Sequence, residues 1–155
     1  MEILDNTILQ KKPTFSLLNL GFRPFFFCAG LFAALLMLAW ALIYRGRAEL
    51  VTALPSMQWH GHEMVYGYCL AVIAGFLLTA TKNWTGIQTL HGLPLLGLAG
   101  LWAAARVSAF IDSPVAIWAM AVFDLAFMLG LLLSVLLPIL RTNNRQQIPV
   151  VIKLG

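Results

Sequence analysis

The chain alternates long apolar runs with short polar ones, and four runs are long enough to cross a bilayer: 24–44, 62–81, 93–111 and 114–140. A helix rises about 1.5 Å per residue, so roughly 20 apolar residues cover a hydrocarbon core ~30 Å thick. None of the runs shows the two-residue alternation of a membrane barrel strand, and lipid offers no partner for an unpaired backbone group. The pattern therefore predicts an all-α, polytopic transmembrane helical bundle. Amphipathicity at the helical period of about 3.6 residues is weak, as expected where lipid surrounds the helices. Pro24 and Pro114 stand where a helix begins and a missing N–H costs nothing. Asp112, Ser113 and Pro114 predict a tight turn that folds the last two runs into a hairpin.

Composition strengthens this reading. Hydrophobic residues make up 61% of the 155 and charged ones 10%, and the mean hydropathy is +0.86, far from a soluble domain. The net charge of +4 would suit nucleic acid, but the basic residues stand scattered at run ends with no basic, aromatic-interleaved patch, and a nucleic-acid partner is excluded. Their distribution bears instead on orientation. Four spans place Lys11, Lys12, Arg23, Lys82, Arg141, Arg145 and Lys153 on one side of the bilayer, against Arg45 and Arg47 on the other. The positive-inside rule then predicts a cytoplasmic tail over residues 1–23 and a multi-pass protein with a cytoplasmic N-terminus.

No small-residue cleavage site follows a short apolar core, so the first run reads as a retained span rather than a signal peptide. The whole chain, 1–155, reads as a single transmembrane domain. Its final stretch, 141–155, opens a further apolar segment in IPVVIKLG that stops at once, as in a fragment of a larger bundle.

Candidate chemistry concentrates in MQWHGHEMVYGYC, residues 57–69, at the mouth of the second run. Imidazole is the commonest metal ligand, and His60 and His62 are the candidates here. Two residues apart, they would point to different helical faces, whereas an extended entry would let one turn inward and the other outward. Once the helix is under way, His62, Tyr66, Cys69 and Ile73 share a stripe that could line a cofactor pocket. Glu63 could accept a hydrogen bond from an imidazole and fix its tautomer. Met57 and Met64 are soft donors suited to Cu(I). The plain alternative for each is an interfacial or packing role, with Trp59 as an anchor. That alternative is favoured for Cys28, Cys69 and the loop residue His91. The order HxHE is not the HExxH of zinc proteases, and hydrolysis is not indicated.

Arg106 and Asp124 are the charges well inside apolar runs. Each costs about 2.5–3.5 kcal/mol at the bilayer centre, so both should face the bundle interior. A structural ion pair holding the hairpin is the simpler reading; an anionic cofactor group on Arg106, or ion movement at Asp124, is the functional one. In TKNWTGIQ, residues 81–88, Asn83 and Trp84 read as interfacial anchors, and Thr85 and Gly86 as turn formers.

GFRPFF (21–26), WHGHEM (59–64), AVIAGFLLTATKNWTG (71–86), LWAAAR (101–106) and DLAF (124–127) together resemble the N-terminal part of the NnrS family, over most of residues 17–145. The resemblance implies a bacterial inner-membrane protein associated with haem and copper and with nitric oxide and nitrosative stress. It implies His60 and His62 as metal and cofactor ligands, and it places Glu63, Arg106 and Asp124 on family-pattern positions without assigning them roles; a cofactor contact at Arg106 rests on the charge argument above. Glu63, Tyr66 and Asp124 are polar groups around them. The implied partners are the lipid bilayer, nitric oxide, and later helices or another membrane subunit that complete the site. Two other functions fit the residues without the resemblance: a transporter or channel lined by Arg106 and Asp124, and a non-catalytic assembly or protective partner of a membrane complex.

Overall fold

In the computed structural model, residues 22–49 and 52–142 are described, and they are helical apart from connecting turns. The proposed tail before residue 22 and the further segment after residue 142 lie outside the described residues. Helix α1 is Phe22–Tyr44. Next comes one continuous 30-residue helix, Ser56–Thr85, made of α2 (Ser56–His62), a π-helical segment (Glu63–Cys69) and α3 (Leu70–Thr85). Helices α4 (Leu93–Ser108) and α5 (Pro114–Arg141) follow as a hairpin. Three of these helices, α1, Ser56–Thr85 and α5, are long and apolar enough to cross a membrane.

The second and third spans differ most from the sequence expectation. The second span begins at Ser56 rather than residue 62 because Trp59, with no exposed surface, packs edge-on against Phe110 in the α4–α5 turn (centroids 5.5 Å apart). That burial holds the polar residues ahead of His62 in helix. The extended entry envisaged for the histidines is therefore absent, and both sit on helical turns. The third span is shorter than 93–111: α4 ends at Ser108, about 24 Å long at helical rise, and 109–111 form a turn closed by Phe110 N–H to Val107 O (3.2 Å). Ser113 then starts α5, its hydroxyl accepting from Val115 N–H (3.3 Å) ahead of Pro114.

Helix α3 is central, packed on both α1 and α5. Its buried face is mostly small, with Ala71, Ala74, Gly75 and Ala80 beside Leu77 and Leu78, which lets neighbouring backbones approach closely, as in membrane helix pairs. Phe25 on α1 meets Phe127 on α5 (5.7 Å) in the same core. Leu31, Leu35, Leu38, Trp118, Val122 and Leu125 point outward, an apolar exterior suited to lipid. At one end, Gly86 caps α3 in the left-handed conformation (φ 69°), where a Cβ would be strained. The loop beyond is tied back by Thr89, whose buried hydroxyl donates to Leu78 O (2.9 Å). The second cluster, Leu36, Trp59, Ala109 and Met120, fills the opposite end, and the polar site lies between the two.

Candidate functional site

The π segment decides which side chains enter the bundle. A π turn bonds N–H to the carbonyl five residues back, as Leu70 N–H does to Val65 O, and such turns recur at functional sites. Widening the helix across 63–69 brings Glu63 fully inside, with no exposed surface. Gly67 makes the turn possible at this packing: a Cβ there would stand 2.4 Å from Phe32 and 3.0 Å from both Arg106 Nη1 and Glu63 Oε2. Its carbonyl accepts the indole N–H of Trp102 (2.9 Å), which ties the π segment to α4.

Around Glu63 four ionisable side chains close a ring. His62 Nδ1 meets Glu63 Oε1 (3.1 Å) and His62 Nε2 meets Asp124 Oδ2 (3.2 Å). Arg106 Nη1 meets Glu63 Oε2 (3.3 Å) and Arg106 Nη2 meets Asp124 Oδ1 (2.5 Å). Three helices contribute: Ser56–Thr85, α4 and α5. Arg106 and Asp124 are each 4% exposed. Two edges, His62–Glu63 and Arg106–Asp124, are hydrogen bonds. The other two are close charge contacts without hydrogen-bond geometry, leaving Glu63 Oε2, Asp124 Oδ2 and Arg106 Nη1 without hydrogen-bond partners. Charges this deep persist only when mutually compensated. Two carboxylates against one guanidinium leave the ring one negative charge, which a second imidazole proton would cancel. Both His62 nitrogens face carboxylate oxygens, so both contacts become hydrogen bonds only when the ring holds that extra proton.

His60 is placed differently. Its imidazole lies flat on Trp40 of α1 (centroids 4.2 Å, planes 11° apart), and its buried Nδ1 has no hydrogen-bond partner. The two histidines thus do not converge, and one has both nitrogens engaged while the other has one unused. Tyr66 stacks on His62 (4.7 Å, 17°) and so borders the ring. The rest of the proposed stripe does not join them: Cys69 is exposed and Ile73 packs in the apolar core, because the wide π turn breaks the regular spacing. Met57 is exposed and Met64 packs near Trp59. His91 lies far along the chain in the loop after α3, its Nδ1 donating to Thr89 O (3.1 Å).

A family model described as NnrS protein matches residues 16–155. The chain belongs to the NnrS family. No curated protein and no solved structure matches it. In this NnrS-family membrane protein Glu63, Arg106 and Asp124 form one buried network rather than three separate sites. Sequence reasoning did not single out Trp40, Gly67 or Trp102. Gly67, between two tyrosines in YGY, carried the one legible signal, since a glycine inside an apolar run often marks close approach. The tryptophans act across helices, where chain position gives no sign.

Proposed function

We propose that this NnrS-family chain forms part of a bacterial inner-membrane protein that binds haem or copper and acts in nitric oxide metabolism or the response to nitrosative stress. The observation that carries the site assignment is His60, a ring held by stacking on Trp40 whose buried Nδ1 has no hydrogen-bond partner. The residues fit a group that needs one imidazole. They do not fit a metal held by several side chains, since among the described residues no group of three or more His, Cys, Asp or Glu could hold one. His62 has both nitrogens against carboxylates and Arg106 is engaged by Glu63 and Asp124, so their role is to hold the second helix against the hairpin beneath His60. A haem iron bound through one imidazole supplies an open position for a small gas such as nitric oxide, and further ligands would come from other helices or another subunit.

The test is an optical spectrum with metal analysis on detergent-purified protein, with His60→Ala and His62→Gln variants. A Soret band that shifts with nitric oxide, is lost in His60→Ala and survives in His62→Gln supports the reading. A colourless, metal-free protein overturns it.

The buried ring favours a second reading, ion movement through the bundle, because intramembrane ionisable groups often mark such paths. Proteoliposome flux abolished by Asp124→Asn, with metal content unchanged, would favour it over the first.

A further inference from the structure

At the end of the bundle away from His60 and His62, a cavity of about 340 Å³ opens between the loop after α3, the start of α4 and the last turns of α5, a size typical of small-ligand clefts. Its two sides differ in character. Ile87, Pro94, Leu133 and Leu137 make an apolar wall, whereas Arg141 and His91 supply the ionisable groups, and among the described residues no carboxylate lines it. Pro138 also borders the cavity. With no N–H to give, it leaves the Ser134 carbonyl without its helical partner and loosens α5 at this level. The Ser134 hydroxyl is turned back onto Gly130 O and so adds no free donor to that wall.

The chemistry of the polar side is specific. Arg141, in the last turn of α5, is exposed and brings a permanent positive charge. His91 Nδ1 lies 3.1 Å from Thr89 O; a carbonyl only accepts, so Nδ1 carries a proton, and in the neutral ring Nε2 is the nitrogen that can accept. The level in the membrane is also informative. The 30-residue helix ends at Thr85, with Lys82 in its last turn, and α5 ends at Arg141, so the cavity lies where spans meet the headgroup layer.

We propose that this cavity binds an anionic glycerophospholipid of the surrounding bilayer. Its phosphate pairs with Arg141, a headgroup hydroxyl donates to His91 Nε2, and the upper part of an acyl chain lies along Leu133 and Leu137. The complementarity is of charge and of polarity along one axis: a cationic rim over an apolar wall matches an anionic head over a hydrocarbon tail, and no carboxylate among the described lining residues repels an anion there. A basic pocket at a membrane boundary is a known means of holding acidic lipids.

The test is native mass spectrometry of the detergent-solubilised chain after incubation with mixed micelles containing phosphatidylglycerol or phosphatidylcholine. Retained phosphatidylglycerol should exceed phosphatidylcholine, and Arg141→Gln should lower it about fivefold, the effect of one basic contact at a membrane surface. Leu137→Trp, which fills the apolar wall, should lower retention of its tail-bearing ligand as well. Arg45→Gln, at the opposite end of the bundle, should leave it unchanged, and size-exclusion profiles identify any variant that fails to fold. Equal retention of the two lipids, or wild-type retention in a folded Arg141→Gln, overturns the proposal. So does displacement by millimolar inorganic phosphate, which would make the site one for the free anion.

Discussion

Glu63, Arg106 and Asp124 are the residues where this protein holds charge in its least polar surroundings, and their worth lies in completion of the ring. Removing one member strands another: Asp124→Ala leaves Arg106 with Glu63 alone and His62 Nε2 without its carboxylate contact. Breaking a buried ion pair costs about 3–5 kcal/mol, while replacing both partners with apolar groups is often neutral. Asp124→Ala is therefore expected to lower the unfolding midpoint in detergent sharply, and Arg106→Met with Asp124→Leu to recover much of the loss. Equal destabilisation by single and double variants, followed by intrinsic fluorescence on heating, would show that the pair is not the stabilising unit. Both charges are visible in the sequence as exceptions within apolar runs, and their pairing across the hairpin follows from the turn at Asp112–Pro114. That Glu63 joins them is not visible. Counted along a regular helix it is merely the residue after His62.

The π segment is the element that makes the difference. With 63–69 wound as an α-helix, the stripe His62, Tyr66, Cys69, Ile73 would share one face; wound as it is, His62 and Tyr66 stack while Cys69 turns outward. Gly67 is its weak point. Gly67→Ala places a methyl 2.4 Å from Phe32, and overpacking of this kind costs about 1–3 kcal/mol. The expected result is a destabilised protein that Phe32→Ala partly rescues; a Gly67→Ala variant as stable as the parent would mean that α1 moves aside freely. At the other end of the same helix, Gly86→Ala forces a Cβ into φ 69° and should cost on the order of 1 kcal/mol, read from the same thermal midpoint. Turn chemistry made Gly86 legible in the sequence. No comparable local signal announces a π turn, because it is stabilised across helices, by Trp102 on the Gly67 carbonyl.

For the whole molecule, the surroundings are as much part of the structure as the core. The exterior of α1 and α5 is apolar, and the single exposed cysteine among the described residues, Cys69, lies inside the 30-residue helix. In intact membranes Cys69 should therefore react with a membrane-permeant maleimide and stay unmodified by a charged, impermeant one. A cysteine placed at Gly46, in the exposed turn after α1, should react with the impermeant reagent from one side alone. In right-side-out bacterial vesicles the arrangement of Lys and Arg predicts that side to be the outer one; labelling only in inverted vesicles would reverse the orientation.

The helical membrane class, the hairpin, the turn at Gly86 and the family could all be read along the chain, because they depend on local properties: run length, apolar content, proline and glycine at element ends, and residue order in a few motifs. The two-residue spacing already sends the histidines to different faces of a helix; tertiary structure alone decided what each one meets. His60 goes to Trp40 on α1 and His62 to carboxylates on its own helix and α5. The physical reason is that a buried charge is tolerable only where opposite charge from other helices reaches it, and which helices meet, at what rotation, is set by small-residue packing and one widened turn rather than by any spacing along the chain.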